Sequence, residues 1–101
     1  MDYNIVILDE AQKEYEAVVA YLVDILKSSQ AAIGFVDEFD YQVSLIRENP
    51  IIYRLSRMPE LAARGYRSAL VKHYILLYKM LQDTIAIAHI FHQTQDYARL
   101  V

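Results

Sequence analysis

Two apolar stripes of identical spacing, followed by a change of period, are what most constrains how this chain can fold. Ala11, Tyr15, Val18, Leu22 and Ile25 recur at intervals of 4, 3, 4 and 3, and Ala32, Val36, Phe39, Val43 and Ile46 repeat that spacing. Each set runs along one side of a helix, with Lys13, Glu16, Asp24 and Lys27 off the first stripe. Residues 3–8 (YNIVIL) and the runs 66–72, 74–81 and 85–92 are instead short and rich in aromatic and β-branched side chains, the signature of strands. The order is β-α-α-β-β-β. A helical hairpin of this kind must bury both stripes against one sheet face. The expected fold is therefore two-layer α+β, a helical hairpin on a mainly antiparallel four-stranded sheet.

Punctuation residues sharpen the boundaries. Asp9, with Gln12 three residues on, offers a capping box for the first helix. Ser28-Ser29 breaks the stripe and supplies a second N-cap, and Asn49-Pro50 ends the second helix because proline forces the preceding residue out of the α region. Met58–Gly65 reads as one short helical turn, with Pro59 at its start and Gly65 just past its end. Gln82-Asp83-Thr84 is a tight turn between the last two strands. His73 falls between strands.

With 101 residues the chain is expected to form one domain, 1–101. There is no cysteine, which excludes disulfides and thiolate metal sites and suits a cytoplasmic protein. No apolar run reaches the roughly 18–20 residues that span a bilayer, and no signal-peptide pattern opens the chain. His89 and His92 lie three apart on a strand and so face opposite ways, which predicts no metal site. His89 shares a face with Ile85, Ile87 and Phe91 and reads as a half-buried core residue.

Charge is segregated. Residues 1–50 hold ten acids against three bases, and residues 51–101 hold three acids against seven bases together with all three histidines. The modest net charge of −3 thus hides a basic, histidine-bearing second half. A surface of that kind attracts polyanions or acidic partner segments.

The segments Pro59-Glu60-Leu61…Gly65-Tyr66-Arg67…Val71-Lys72-His73-Tyr74-Ile75-Leu76-Leu77-Tyr78-Lys79 and Ile90-Phe91-His92-Gln93-Thr94-Gln95-Asp96-Tyr97, in this element order, resemble the RelE/ParE family. These are toxins of bacterial type II toxin–antitoxin pairs, often labelled plasmid-stabilisation proteins. The resemblance covers nearly the whole chain. It implies a growth-arresting toxin neutralised by a cognate antitoxin, with no cofactor. Members act by cleaving mRNA on the ribosome or by poisoning DNA gyrase.

Metal-free RNA cleavage needs activation of the 2′-hydroxyl, charge stabilisation at the phosphate and protonation of the leaving 5′-oxygen. The resemblance points to Arg67 for the phosphate, His92 for proton transfer and Tyr97 for stacking or acid work. Arg54, Arg57, Arg64 and Lys72 are candidate nucleic-acid contacts. Each has a plainer reading: Arg67 paired with a carboxylate such as Asp96, His92 solvated at a strand end, Tyr97 packing the tail. Gln93-Thr94-Gln95 stands where many nuclease members carry two basic residues, and a ribosome binder is usually basic overall. The expected function is a ribosome-dependent mRNA endonuclease; the alternatives are a gyrase inhibitor and an inactive antitoxin-binding remnant. The expected layout puts surplus carboxylates on the helical layer and cations on the opposite side of the sheet.

Overall fold

The computed structural model describes residues 3–101 of the chain. Strand β1 (Asn4–Ile7) leads into helix α1 (Asp9–Ala20), whose last turn widens into a π-helical segment, Tyr21–Ile25. Helix α2 (Ser29–Glu48) returns, a loop and the short helix α3 (Pro59–Ala63) follow, and β2 (Arg67–Val71), β3 (Tyr74–Leu81) and β4 (Thr84–His92) complete the sheet. A single 3-10 turn, Tyr97–Leu100, lies after the last strand. The sheet order is β1-β4-β3-β2, with β1 parallel to β4 and the other pairs antiparallel. The expected α+β architecture is the observed one, on a mixed sheet.

The helices cover one sheet face. Phe35, Phe39 and Ile46 of α2 and Ala11 of α1 meet Val71, Leu76, Tyr78, Ile85, Ile87 and Ile90 in the main core. Burying a side chain such as Phe35 or Ile46 contributes about 2–3 kcal/mol. The opposite face is not bare: Leu61, Tyr66, Leu77, Ala88, Phe91 and Tyr97 form a second, smaller core under α3 and the C-terminal turn. Space on that side is taken by packing before it is offered to cations.

Three local expectations are corrected. Asp9 does not cap α1. The parallel ladder runs on to Leu8, whose N–H donates to the Ile87 carbonyl at 2.9 Å, so Leu8 is the turning residue and Asp9 already lies in the first helical turn. Gln12 closes no capping box and instead donates to Glu16 at 3.0 Å. Ile25 leaves the buried stripe, because the π-turn, marked by the Leu26 N–H donating to the Tyr21 carbonyl at 3.1 Å, shifts the helical phase. Ser28 does cap α2, accepting from the Ala31 N–H at 3.1 Å.

The third correction concerns β4. Between Leu77 and Tyr78 the ladder slips, so that Leu77 faces His89 while Tyr78 faces Ile87, leaving Ala88 as the extra residue of a bulge. The bulge reverses the side-chain alternation. Ile85 and Ile87 point to the helices, as does Ile90, whereas Ala88 and Phe91 point into the second core. His89 stacks on Phe91 at 5.0 Å and so does not share a face with Ile85 and Ile87. Glu14 of α1 seals the site, accepting from the Ile90 N–H at 2.9 Å and lying 3.2 Å from His89 Nδ1.

Candidate functional site

The polar residues singled out in the sequence fall at two opposite ends of the sheet. Arg67 opens β2 and pairs with Tyr78, on the helical side with Ala69 and Val71. Its Nη1 donates to the Tyr53 carbonyl at 2.7 Å, and beside it the Tyr78 hydroxyl donates to the Pro50 carbonyl at 2.8 Å. Tyr53 in turn donates its hydroxyl to Gln42, a buried amide on α2 that also donates to Glu38 at 2.8 Å. Arg67 thus fastens the loop after α2 to the sheet, and the carboxylate partner considered for it, Asp96, pairs instead with Arg99 at 3.8 Å.

His92 closes β4 at the other end, opposite Tyr74. The two rings meet edge to face at 5.3 Å. The Thr94 N–H donates to His92 Nδ1 at 3.2 Å, and Thr94 Oγ1 lies 2.8 Å from the same nitrogen. With Nδ1 accepting, the neutral ring carries its proton on Nε2. The ring borders an open cleft of about 480 Å³ between the π-turn and the sheet end, shared with Glu14, Tyr21, His73, Tyr74 and Gln95. Burial, then the neighbouring Tyr21, raises the Tyr74 phenol above its ordinary value. Lys72, in the β2–β3 turn, lines an adjoining cleft of about 370 Å³ with His73 and Tyr74.

Four residues of β3 and two strand spacings separate Arg67 from His92, which places their Cα atoms about 16 Å apart. Tyr97 is in neither group: it is 1% exposed in the second core and stacks on Phe91 at 6.0 Å. Of the four candidate nucleic-acid contacts, Arg54, Arg57 and Arg64 gather at the Arg67 end and Lys72 at the His92 end. Lys79, which the sequence reading passed over, joins the first group: Lys79 Nζ sits 4.6 Å and Arg64 Cζ 5.4 Å from the centre of the Tyr66 ring. Only the alternation of β3, set by its register with β2, could have shown this. Among the described residues no cluster of His, Asp or Glu is arranged to hold a metal ion, and no helix is long and apolar enough to cross a membrane.

The family model for the ParE toxin of the type II toxin–antitoxin system parDE matches residues 5–97. Among solved structures, a chromosomal ParDE TA system from P. aeruginosa superposes with a TM-score of 0.72 at 17% identity, over 89% of this chain and 95% of that one. At that identity the likeness is one of fold. No curated protein matches the chain.

Proposed function

Because the chain belongs to the ParE toxin family of type II toxin–antitoxin systems, we propose that it arrests growth by engaging DNA gyrase through a protein interface rather than by cutting RNA. The observation that carries this reading is the separation of Arg67 from His92. Phosphodiester cleavage needs the phosphate clamp and the proton-transfer groups around one scissile bond, within about 3 Å of the atoms they serve. Here the arginine is spent on a main-chain carbonyl and its Cα lies about 16 Å from that of the histidine, and the third candidate, Tyr97, is buried.

An antitoxin partner follows from the family. Its seat is proposed at the free end of the helical hairpin, where exposed Tyr21 and Leu26 line the cleft beside His92 and Val23, Ile25 and Ile33 of the same hairpin end are exposed as well. Large apolar side chains left exposed at one end of a fold are costly in water and favour a docking surface there.

Purified toxin added to a gyrase supercoiling assay and, separately, to a reconstituted translation system tests the reading. Supercoiling is expected to stop and translation to continue, and His92→Ala is expected to leave growth arrest intact. The opposite result, with new 5′ ends inside codons and arrest lost in His92→Ala, would establish ribosomal mRNA cleavage dependent on His92 instead.

A further inference from the structure

We propose that Arg54, Arg57, Arg64 and Lys79 form a docking surface for the phosphate backbone of double-stranded DNA. The fold builds this cluster from three separate elements. Leu55 bridges to Arg67 and the Ser56 N–H donates to the Tyr66 carbonyl at 2.8 Å, which lays residues 54–57 along the start of β2 with an exposed arginine at each end. The end of α3 delivers Arg64 to the Tyr66 ring, and β3 delivers Lys79 to the same ring. Lys79 lies between Tyr78 and Met80, which pack toward the helices, so it points away from the carboxylate-rich helical layer.

Four cations at one end of the sheet, two of them over the same ring, make a local excess of positive charge that an external anion would neutralise. The ion pairs among the described residues are Glu10–Lys13, Asp96–Arg99 and the His89–Glu14 contact, so none of the four has a carboxylate partner, Glu60 included. Three of the four are arginines, whose planar fork matches phosphate oxygens in pairs. The Tyr66 ring is 5% exposed beneath its two cations and offers no face for a base to stack on. Single-stranded sites depend on such aromatic platforms, whereas duplex backbone does not. The surface therefore reads charge and not sequence.

This inference goes beyond gyrase inhibition and is tested without gyrase, so either can fail while the other stands. Fluorescence anisotropy of a short labelled DNA duplex is measured with the purified chain across a salt series. Binding is expected to weaken roughly 100-fold between 50 and 200 mM salt, as four neutralised phosphates require. Arg54→Gln/Arg57→Gln, which changes only exposed side chains, is expected to lower affinity at least about tenfold and to reduce the logarithmic salt slope by about two. Lys79→Gln should weaken binding in the same direction, and Lys13→Gln on the helical layer should not. Absence of duplex binding at low salt, an unchanged slope in the double variant, or capture of a polyglutamate peptide in place of DNA would each overturn the proposal.

Discussion

Tyr78 carries more of the fold than a strand tyrosine ordinarily would. It is wholly buried, its hydroxyl reaches the Pro50 carbonyl, and burial pushes its phenol up to about 12 against the opposing pull of the Arg67 guanidinium. The folded state thus holds this proton more tightly than the unfolded chain, whose phenol titrates near its ordinary value of about 10. The contribution is intact below that value and drains away as pH rises toward 12, by about 2–3 kcal/mol in all. Urea unfolding of the wild type should therefore show a steep loss of stability between about pH 10 and 12. Tyr78→Phe should cost about 1 kcal/mol at pH 8, where a hydrogen bond is lost, and should flatten the alkaline fall. An alkaline limb unchanged in the variant would assign that fall to other groups. The sequence showed Tyr78 and Arg67 as strand residues and nothing of their targets, because Pro50 and Tyr53 sit in a loop without periodicity whose course is set by those very bonds.

Elements end where the backbone can turn left-handed, and two such positions in this chain make opposite predictions. Gly65 follows α3 at φ 86°, with its N–H donating to the Ala62 carbonyl and the Tyr66 N–H to the Leu61 carbonyl, both at 3.0 Å. This is a Schellman ending, completed by Leu61 and Tyr66 packing in the second core. A Cβ at Gly65 would meet nothing within 4 Å, so Gly65→Ala should cost only the conformational penalty, about 1–2 kcal/mol. Gln82 begins the β3–β4 turn at φ 60° with a full side chain, so Gln82→Gly should gain up to about 1 kcal/mol. Chemical denaturation of both variants checks the pair, and a shared sign would refute the backbone account. Helix and strand existence was legible because buried stripes and runs repeat within one element. The start of α1 at Leu8 in place of an Asp9 cap, the π-turn and the bulge at Ala88 were not, since each depends on hydrogen bonds or packing supplied outside the local pattern. The reversed alternation of β4 is also what turned His89 away from Ile85 and Ile87.

Across the whole molecule the charges form two poles. The helical layer exposes Glu16, Asp24, Asp37, Asp40 and Glu48, while Arg54, Arg57, Arg64 and Lys79 gather where β2 begins and β3 ends. The basic half anticipated from the sequence is thus real but split, with Lys72 and His92 at the far end. Because no arginine or lysine of the second half pairs with an acid of the first among the described residues, two opposing effects set the salt response. Repulsion inside each pole acts over short distances, and attraction between poles acts across a molecule measuring 40 × 31 × 21 Å. At 0.01 M salt the screening length is about 30 Å, so both operate; at 0.15 M it is about 8 Å, and both are weakened. The shorter repulsions are larger at every ionic strength, so screening should relieve more strain than it removes attraction. The thermal midpoint should rise between 0.01 and 0.15 M salt by roughly 4–8 °C, equivalent to about 1 kcal/mol in a chain of this size. Asp37→Asn/Asp40→Asn, which thins the acidic pole, should raise the low-salt midpoint and shrink the rise. A midpoint that falls with salt would mean that attraction between the poles dominates, and that the cations at Tyr66 serve the fold before they serve a partner.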